Sequence, residues 1–299
     1  MNYTEYKHTL QEALQRRVGE NAKVYLATAE KLNGVTDDVF VIEKKGKDIH
    51  LRIYLRDLYE GSSMGEHLEE SVDILYRLSE EKPFVSKEDM PEMWQSAKHR
   101  IEMRLVNKKW NIKMLEDVPY KEYLDFAVIF VVLIAAKEGV QAMLTVNREW
   151  MKKWGIGLDE LWETAQKNLK KESFFVKDIK SMLKSLLDKD IEGMEEDDTE
   201  WYGNLYVMTN VKQSYGARVL LRKDILRRFA EEHKSNLYLL PSSLHEFLVL
   251  EDDGVCESSG LKKLVCEVNK ESGMVEQEQW LSDSVYYYDR EKEEVRIVA

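Results

Sequence analysis

Between residues 3 and 18 the apolar positions recur every three or four residues, as Tyr3, Tyr6, Leu10, Ala13, Leu14 and Val18. That spacing gathers them on one side of a helix, and Asn2 with Glu5 has the form of a capping box at its start. The period then shortens. Segments 23–31, 39–44 and 49–55 read as strands, the second and third joined by a hairpin turn at Lys45-Gly46-Lys47-Asp48. Leu68, Val72, Leu75 and Tyr76 return to helical spacing. Residues 1–82 therefore predict an α-β-β-β-α unit. Pro83 and Pro91 bracket a charged connector after it.

In the middle third the period decides less. Segment 99–106 suits a strand or a helix, and 108–115 reads as helical. Two β-branched apolar runs, 123–135 and 140–146, flank Lys137-Glu138-Gly139 and predict a central hairpin. The first run does not alternate, which fits a strand buried on both faces and leaves a buried helix as the alternative. Asn147 is placed to cap a short helix with Trp150 and Met151, which Gly155 and Gly157 interrupt. Leu158, Leu161, Trp162, Ala165 and Leu169 mark an amphipathic helix. A basic helical stretch, 177–189, runs into the acidic string Glu195-Glu196-Asp197-Asp198, read as a solvated linker.

The last third predicts a strand at 205–209 and a helix at 217–233 with Ala217, Leu220, Leu221, Ile225 and Phe229 inward. Short strands at 237–240 and 247–250 surround Pro241-Ser242-Ser243. Ser258 opens a helix bearing Leu261, Leu264, Val265 and Val268, and 285–288 pairs with 295–298 as a hairpin through 290–293. These connections are too short for repeated crossover helices. The expected fold is therefore α+β, with small, mostly antiparallel sheets and packed amphipathic helices. Three consecutive units are expected, 1–82, 92–190 and 200–299, with linkers at 83–91 and 191–199; no fixed-period repeat is visible.

Composition narrows the function classes. Of 299 residues 43% are hydrophobic, enough for a core, and 44 Lys and Arg against 56 Asp and Glu leave a net charge of −12. Such a surface repels phosphate, so broad nucleic-acid binding is not expected. The first twenty residues read as an amphipathic helix and not as a signal peptide. The longest apolar run, 126–136, falls short of the roughly 20 residues a membrane span needs, so no membrane partner is expected. Two cysteines, Cys256 and Cys266, make no disulfide framework and suit a reducing, cytoplasmic location.

Few motifs carry chemistry. Gly61-Ser62-Ser63-Met64-Gly65 matches G-x-S-x-G, but the strand expected before it ends several residues too early for a nucleophile elbow. The run from Asp188 to Gly193 starts like a calcium loop, yet Glu192 and Thr199 occupy two of its ligand positions. His245-Glu246 is not H-E-x-x-H, because Val249 stands at the second histidine position. His245 could serve as an acid, base or ligand if the sheet brought Asp283 or Asp289 to it; a hydrogen-bonded turn histidine is the plainer reading. Arg218, Arg222, Lys223, Arg227 and Arg228 crowd one expected helix and suggest a patch for an anionic partner, with a solvated, acid-neutralised face as the other reading. Alternation separates Tyr287 from Tyr286 and Tyr288. No P-loop, dinucleotide fingerprint or Cys/His cluster is present, so no cofactor and no metal are called for.

The segments NLYLLPSSLHEFLVLEDDG (236–254) and LSDSVYYYDR (281–290) resemble the signature of a family of uncharacterised proteins from gut clostridia, a domain of unknown function. The resemblance extends through LYVMTNVKQSYGARVLL (205–221), VNREWMKKWGIGLDELWETAQKNL (146–169) and MRLVNKKWNIKMLEDVPYKEYLDFAV (103–128), and so over most of the chain. A second, bacillar family is similar more faintly, through Trp154-Gly155-Ile156, Asn210 with Tyr215-Gly216-Ala217-Arg218, and Pro241 with His245. The resemblance implies a bacterial, cytoplasmic protein of α+β fold and no mechanism. The leading expectation is a non-enzymatic module that binds or regulates another protein. The alternatives are an enzyme with a site at His245, Asp283 and Asp289, and a local nucleic-acid contact through Arg218, Arg222, Arg227 and Arg228.

Overall fold

The capping box at the amino end forms. Asn2 Oδ1 accepts from the Glu5 amide at 3.0 Å, and Glu5 Oε2 accepts from the Asn2 amide at 3.2 Å. They start α1 (Tyr3–Val18), and Gly19, at φ 61, ends it in a backbone region that glycine enters at little cost. The computed structural model describes residues 1–46, 51–61, 67–81, 85–137, 140–179, 205–270 and 275–299. The fold is α+β, in two units: Met1–Pro91 with Leu133–Met143, and Glu92–Val132 with Leu144–Ala299. Among the described residues no helix is long and apolar enough to cross a membrane.

In the first unit β1 (Ala22–Glu30), β2 (Thr36–Lys44) and β3 (Leu51–Tyr54) form an antiparallel sheet in that order. Val24, Phe40 and Ile42 of the sheet share a core with Tyr6, Leu10 and Leu14 of α1. α2 (Leu55–Gly61) begins where the third strand was expected to end, and α3 (Leu68–Glu80) adds Val72 and Leu75 to the core. The Tyr6 hydroxyl donates to Ser71 Oγ at 2.8 Å, so the polar ends buried between α1 and α3 satisfy one another.

The second unit carries α4 (Trp94–Ala97), β4 (Ile101–Asn107), α5 (Ile112–Leu115) and β5 (Tyr120–Tyr123). β6 (Phe126–Lys137) is central in a sheet of order β4-β6-β5, and β7 (Val140–Thr145) pairs with β6. The run that did not alternate is thus a strand. Phe126 to Val132 are all at most 2% exposed, which requires cover on both faces. Next come α6 (Arg148–Trp154), capped by Asn147 and closed by Gly155, and α7 (Leu158–Leu169), which buries Leu161, Ala165 and Leu169. β8 (Phe174–Asp178) and β9 (Leu205–Asn210) lead to α8 (Lys223–His233), β10 (Leu237–Ser243), β11 (Glu246–Glu251), α9 (Ser258–Lys270), β12 (Tyr286–Asp289) and β13 (Glu294–Ile297). Six of these strands form an antiparallel sheet of order β13-β12-β10-β11-β9-β8. Strands on either side of the expected linker 191–199 therefore share one sheet.

A half-buried carboxylate ties the two sheets of this unit together. Asp125, in the turn before β6, accepts from the hydroxyls of Ser282 at 2.8 Å, Ser284 at 3.1 Å and Tyr286 at 2.5 Å. Burial first, then the Asp125 charge, raises the Tyr286 phenol well above its ordinary value, so it remains a donor. Pro241 is tolerated inside β10 because β12 pairs only with Leu237, Leu239 and Tyr238 between them, and a register shift follows Pro241 on the β11 side.

Three segments differ from expectation, and one left open is decided. Lys177, the start of the expected basic helix, lies in β8. The expected helix 217–233 is broken at Arg222, with a 3-10 segment, Gly216–Leu221, before it and α8 after it. Segment 108–115 is helical only over α5: residues 108–111 form a turn, because Asn107 Oδ1 accepts from the amides of Lys109 and Trp110 and holds them out of a helix. The undecided segment 99–106 resolves into β4 after a short 3-10 turn. The G-x-S-x-G serines, the calcium-like run, most of the basic stretch and the acidic string lie outside the described residues.

Leu10 has no exposed surface and meets both the sheet and α3. Leu10→Ala is expected to lower stability by about 2–5 kcal/mol, read as a shift of the urea midpoint at unchanged slope. A change below about 1 kcal/mol would mean that the core closes over the gap.

Candidate functional site

The predicted site residues separate in the fold. His245 lies in the turn between β10 and β11, where its amide donates to Ser243 Oγ at 3.0 Å and its carbonyl accepts from Thr209 Oγ1 at 2.7 Å. Its ring Nδ1 accepts from the Tyr215 amide at 3.0 Å. An amide can only donate, so the ring proton sits on Nε2. The ring packs at 5.3 Å from that of Tyr215, and the Arg104 guanidinium lies over the Tyr215 ring at 3.4 Å. Burial, and then the Arg104 charge, lowers the His245 pKa, so the ring is neutral near pH 7.

Asp283 accepts from Asn269 at 2.9 Å and pairs with Lys270 at 2.9 Å. Asp289 accepts from the amides of Glu291 and Lys292 in the β12–β13 turn. Neither is a partner of His245. A histidine within hydrogen-bond distance of a carboxylate is His233, whose Nδ1 lies 2.8 Å from Glu251 Oε1; the Tyr206 hydroxyl donates to the same oxygen at 2.9 Å.

The four arginines do not form one patch. Arg218, in the 3-10 segment, is 1% exposed. Its Nε and Nη2 donate to the two carboxylate oxygens of Glu172 at 2.8 and 2.6 Å, and Nη1 donates to the Met103 carbonyl at 3.3 Å. Glu102 Oε2 makes an ion contact with it at 3.0 Å. Burial alone would lower this guanidinium; the two carboxylates outweigh it and hold its pKa above the ordinary value. Arg222 is fastened to Asp224 and to two carbonyls. Arg227 pairs on the surface with Glu231 and Glu293. Arg228 stands exposed on α8. An extended anion therefore has no continuous cationic face here.

Arg218 and His245 are brought together by the loop between β9 and the 3-10 segment. Asn210, fully buried, donates to Glu172 and to the Ser214 carbonyl and accepts from the Ser214 amide. Tyr215 takes a left-handed conformation, φ 51. Gly216 passes so close to the sheet that a Cβ there would meet Thr209 Oγ1 at 2.1 Å and the His245 carbonyl at 2.5 Å. Glu172 and Arg104 escaped the sequence reading, since a lone Glu past a helix end and a charge inside a strand carry no motif.

Open chemistry lies instead along α7. Glu160, Glu163, Lys167 and Lys171 recur at helical spacing on one flank of its buried stripe and, with Trp94, Lys98 and His99, line a groove of about 410 Å³. Trp94 donates from Nε1 to Glu160 at 2.7 Å and packs 5.6 Å from Trp154, which packs 5.5 Å from Trp150. Met93, next to Trp94, is 69% exposed. The side chains of Lys98, Lys167 and Lys171 have no ion-pair partner among the described residues. Among those residues no group of three or more His, Cys, Asp or Glu is placed to hold a metal ion.

Two outcomes test the buried network. Arg218→Ala takes the bidentate cation from Glu172 and leaves Glu102 its contact with Lys212 at 3.2 Å; it is expected to cost about 3–5 kcal/mol by urea denaturation, and a cost under about 1 kcal/mol would show the pair to be dispensable. His245 has a folded pKa below its unfolded value, so the unfolded chain binds the proton more readily. Its contribution to stability is complete above about pH 6.5 and falls as pH drops through the folded pKa. His245→Gln should show a shallower acid-side decline than the parent; identical slopes would contradict this.

No curated protein and no solved structure matches the chain. The resemblance carried by segments 205–221, 236–254 and 281–290 does hold: residues 3–290 match a family of unknown function (DUF5688), and the chain belongs to that family.

Proposed function

We propose that this protein is a non-enzymatic module of the bacterial cytoplasm that binds another protein, and that the groove beside Trp94 is where it does so. The observation that carries the reading is the pairing of Trp94 in the groove and the exposed Met93 next to it with three lysines that have no ion-pair partner among the described residues. Trp and Met are enriched in protein interfaces, and apolar contact area beside unpaired charge favours a partner that offers both. Against Lys98, Lys167 and Lys171 stand Glu160 and Glu163, an excess of cation in a chain whose net charge is −12. The partner is accordingly an acidic segment that places an apolar residue against Trp94 and Met93. What supports recognition over catalysis is that His245 has spent Nδ1 on a backbone amide and has a cation, Arg104, as its charged neighbour.

Affinity capture from native lysate, run in parallel on the parent chain and on Lys167→Glu/Lys171→Glu, tests the reading. A partner should be held by the parent and weakened roughly tenfold or more by the variant, since two exposed charge pairs are reversed. Its hold should also loosen as salt is raised. Capture of the same proteins by both forms, or of none by the parent, would refute the assignment.

A further inference from the structure

α7 borders a second concavity on the opposite flank of its buried stripe. Trp162, Gln166, Leu169 and Lys170 face a cavity of about 330 Å³, and Met103 of β4, Tyr123 of β5 and Leu221 of the 3-10 segment complete its apolar wall. Three cations stand at its edge, Lys170, Arg222 and Lys223, with one carboxylate, Asp224. Arg222 and Asp224 neutralise each other through two hydrogen bonds of 2.8 Å. The remaining Arg222 nitrogen, Nη1, donates to the carbonyls of Leu169 at 2.9 Å and Glu172 at 3.1 Å. The ammonium groups of Lys170 and Lys223 have no partner among the described residues, and neither has the Tyr123 hydroxyl. Burial pushes the Tyr123 pKa up to about 12, so that hydroxyl stays a neutral donor.

These features select a ligand class. Pockets that hold small organic molecules span about 300–1,000 Å³, and this one is at the small end, room for about one ring. A neutral apolar guest would leave both lysines unused, and an inorganic anion would leave the Trp162 wall in water. A nucleotide would need more free cations and a cradle of backbone amides. We propose that the cavity binds a small aromatic carboxylate, its ring against Trp162 with Met103 and Leu221 beside it, its carboxylate toward Lys170 and Lys223, and the Tyr123 hydroxyl donating to one oxygen. This site is separate from the groove, and either assignment can fail without the other.

Calorimetric titration of the full chain tests it with phenylacetate as the probe. Saturable binding is expected. Phenylacetamide, the same shape without the charge, and acetate, the charge without the ring, should each bind at least tenfold more weakly. Lys170→Glu/Lys223→Glu should weaken phenylacetate roughly tenfold or more with an unchanged circular dichroism spectrum, because both side chains are exposed. Leu221→Trp, which fills the cavity from its wall, should abolish binding; if that variant does not fold, the lysine variant alone decides. No heat at millimolar phenylacetate, equal affinity for acid and amide, or an unaffected lysine variant overturns the proposal. Tighter binding of a peptide ending in a free Phe carboxylate would overturn it as well, by assigning the site to chain termini.

Discussion

The second unit depends on a guanidinium that water does not reach. Arg218 bridges two places distant in sequence: the carboxylate of Glu172 just past α7, and β4, through the carbonyl of Met103 and the carboxylate of Glu102 beside it. Moving such a charge out of water is costly, and only good geometry with further hydrogen bonds recovers it. Here the contact to Glu172 is bidentate, the strong form of the pair. Fixing these atoms fixes the end of α7 against β4 and the 3-10 segment, and that end carries residues of both concavities beside α7.

The same loop explains why the most visible histidine is structural. A left-handed Tyr215 and a Gly216 that can hold no side chain let the backbone press onto β9, and His245 receives the amide this turn exposes. Every polar atom engaged this way is lost to a ligand. Recognition is written in the opposite sign: groups such as the Lys170 and Lys223 ammoniums, exposed at the edge of an apolar wall and bonded to none of the described residues.

How much of this was legible depended on the range of the interaction. Local periodicity located α1, α3, α7, the β12–β13 hairpin and the Asn2 and Asn147 caps, because the causes lie within a few residues. It failed where a distant partner set the local form. The break at Arg222 follows from bonds to Leu169, Glu172 and Asp224, and helical spacing on both sides of it hid the interruption. The turn at Lys109 and Trp110 is imposed by one side-chain oxygen of Asn107. The arginines looked like a surface because charge is usually solvated; Arg218 became the exception through Glu172 and Glu102, 46 and 116 positions away by their residue numbers. Neither concavity has a sequence motif, since their walls come from α4, α7, β4, β5 and the 3-10 segment.

The Asp125 tie has a consequence for how the chain is made. Its acceptor emerges from the ribosome more than 150 residues before its donors, Ser282, Ser284 and Tyr286. β12, which lies inside the six-stranded sheet, arrives equally late. During synthesis the 101–132 region must therefore wait with its Asp125 carboxylate bonded to water in place of the three hydroxyls that later reach it. That wait keeps the half-built sheets apart in water until the residues that lock them have been translated, and it makes the second unit's assembly a late event in the birth of the polypeptide.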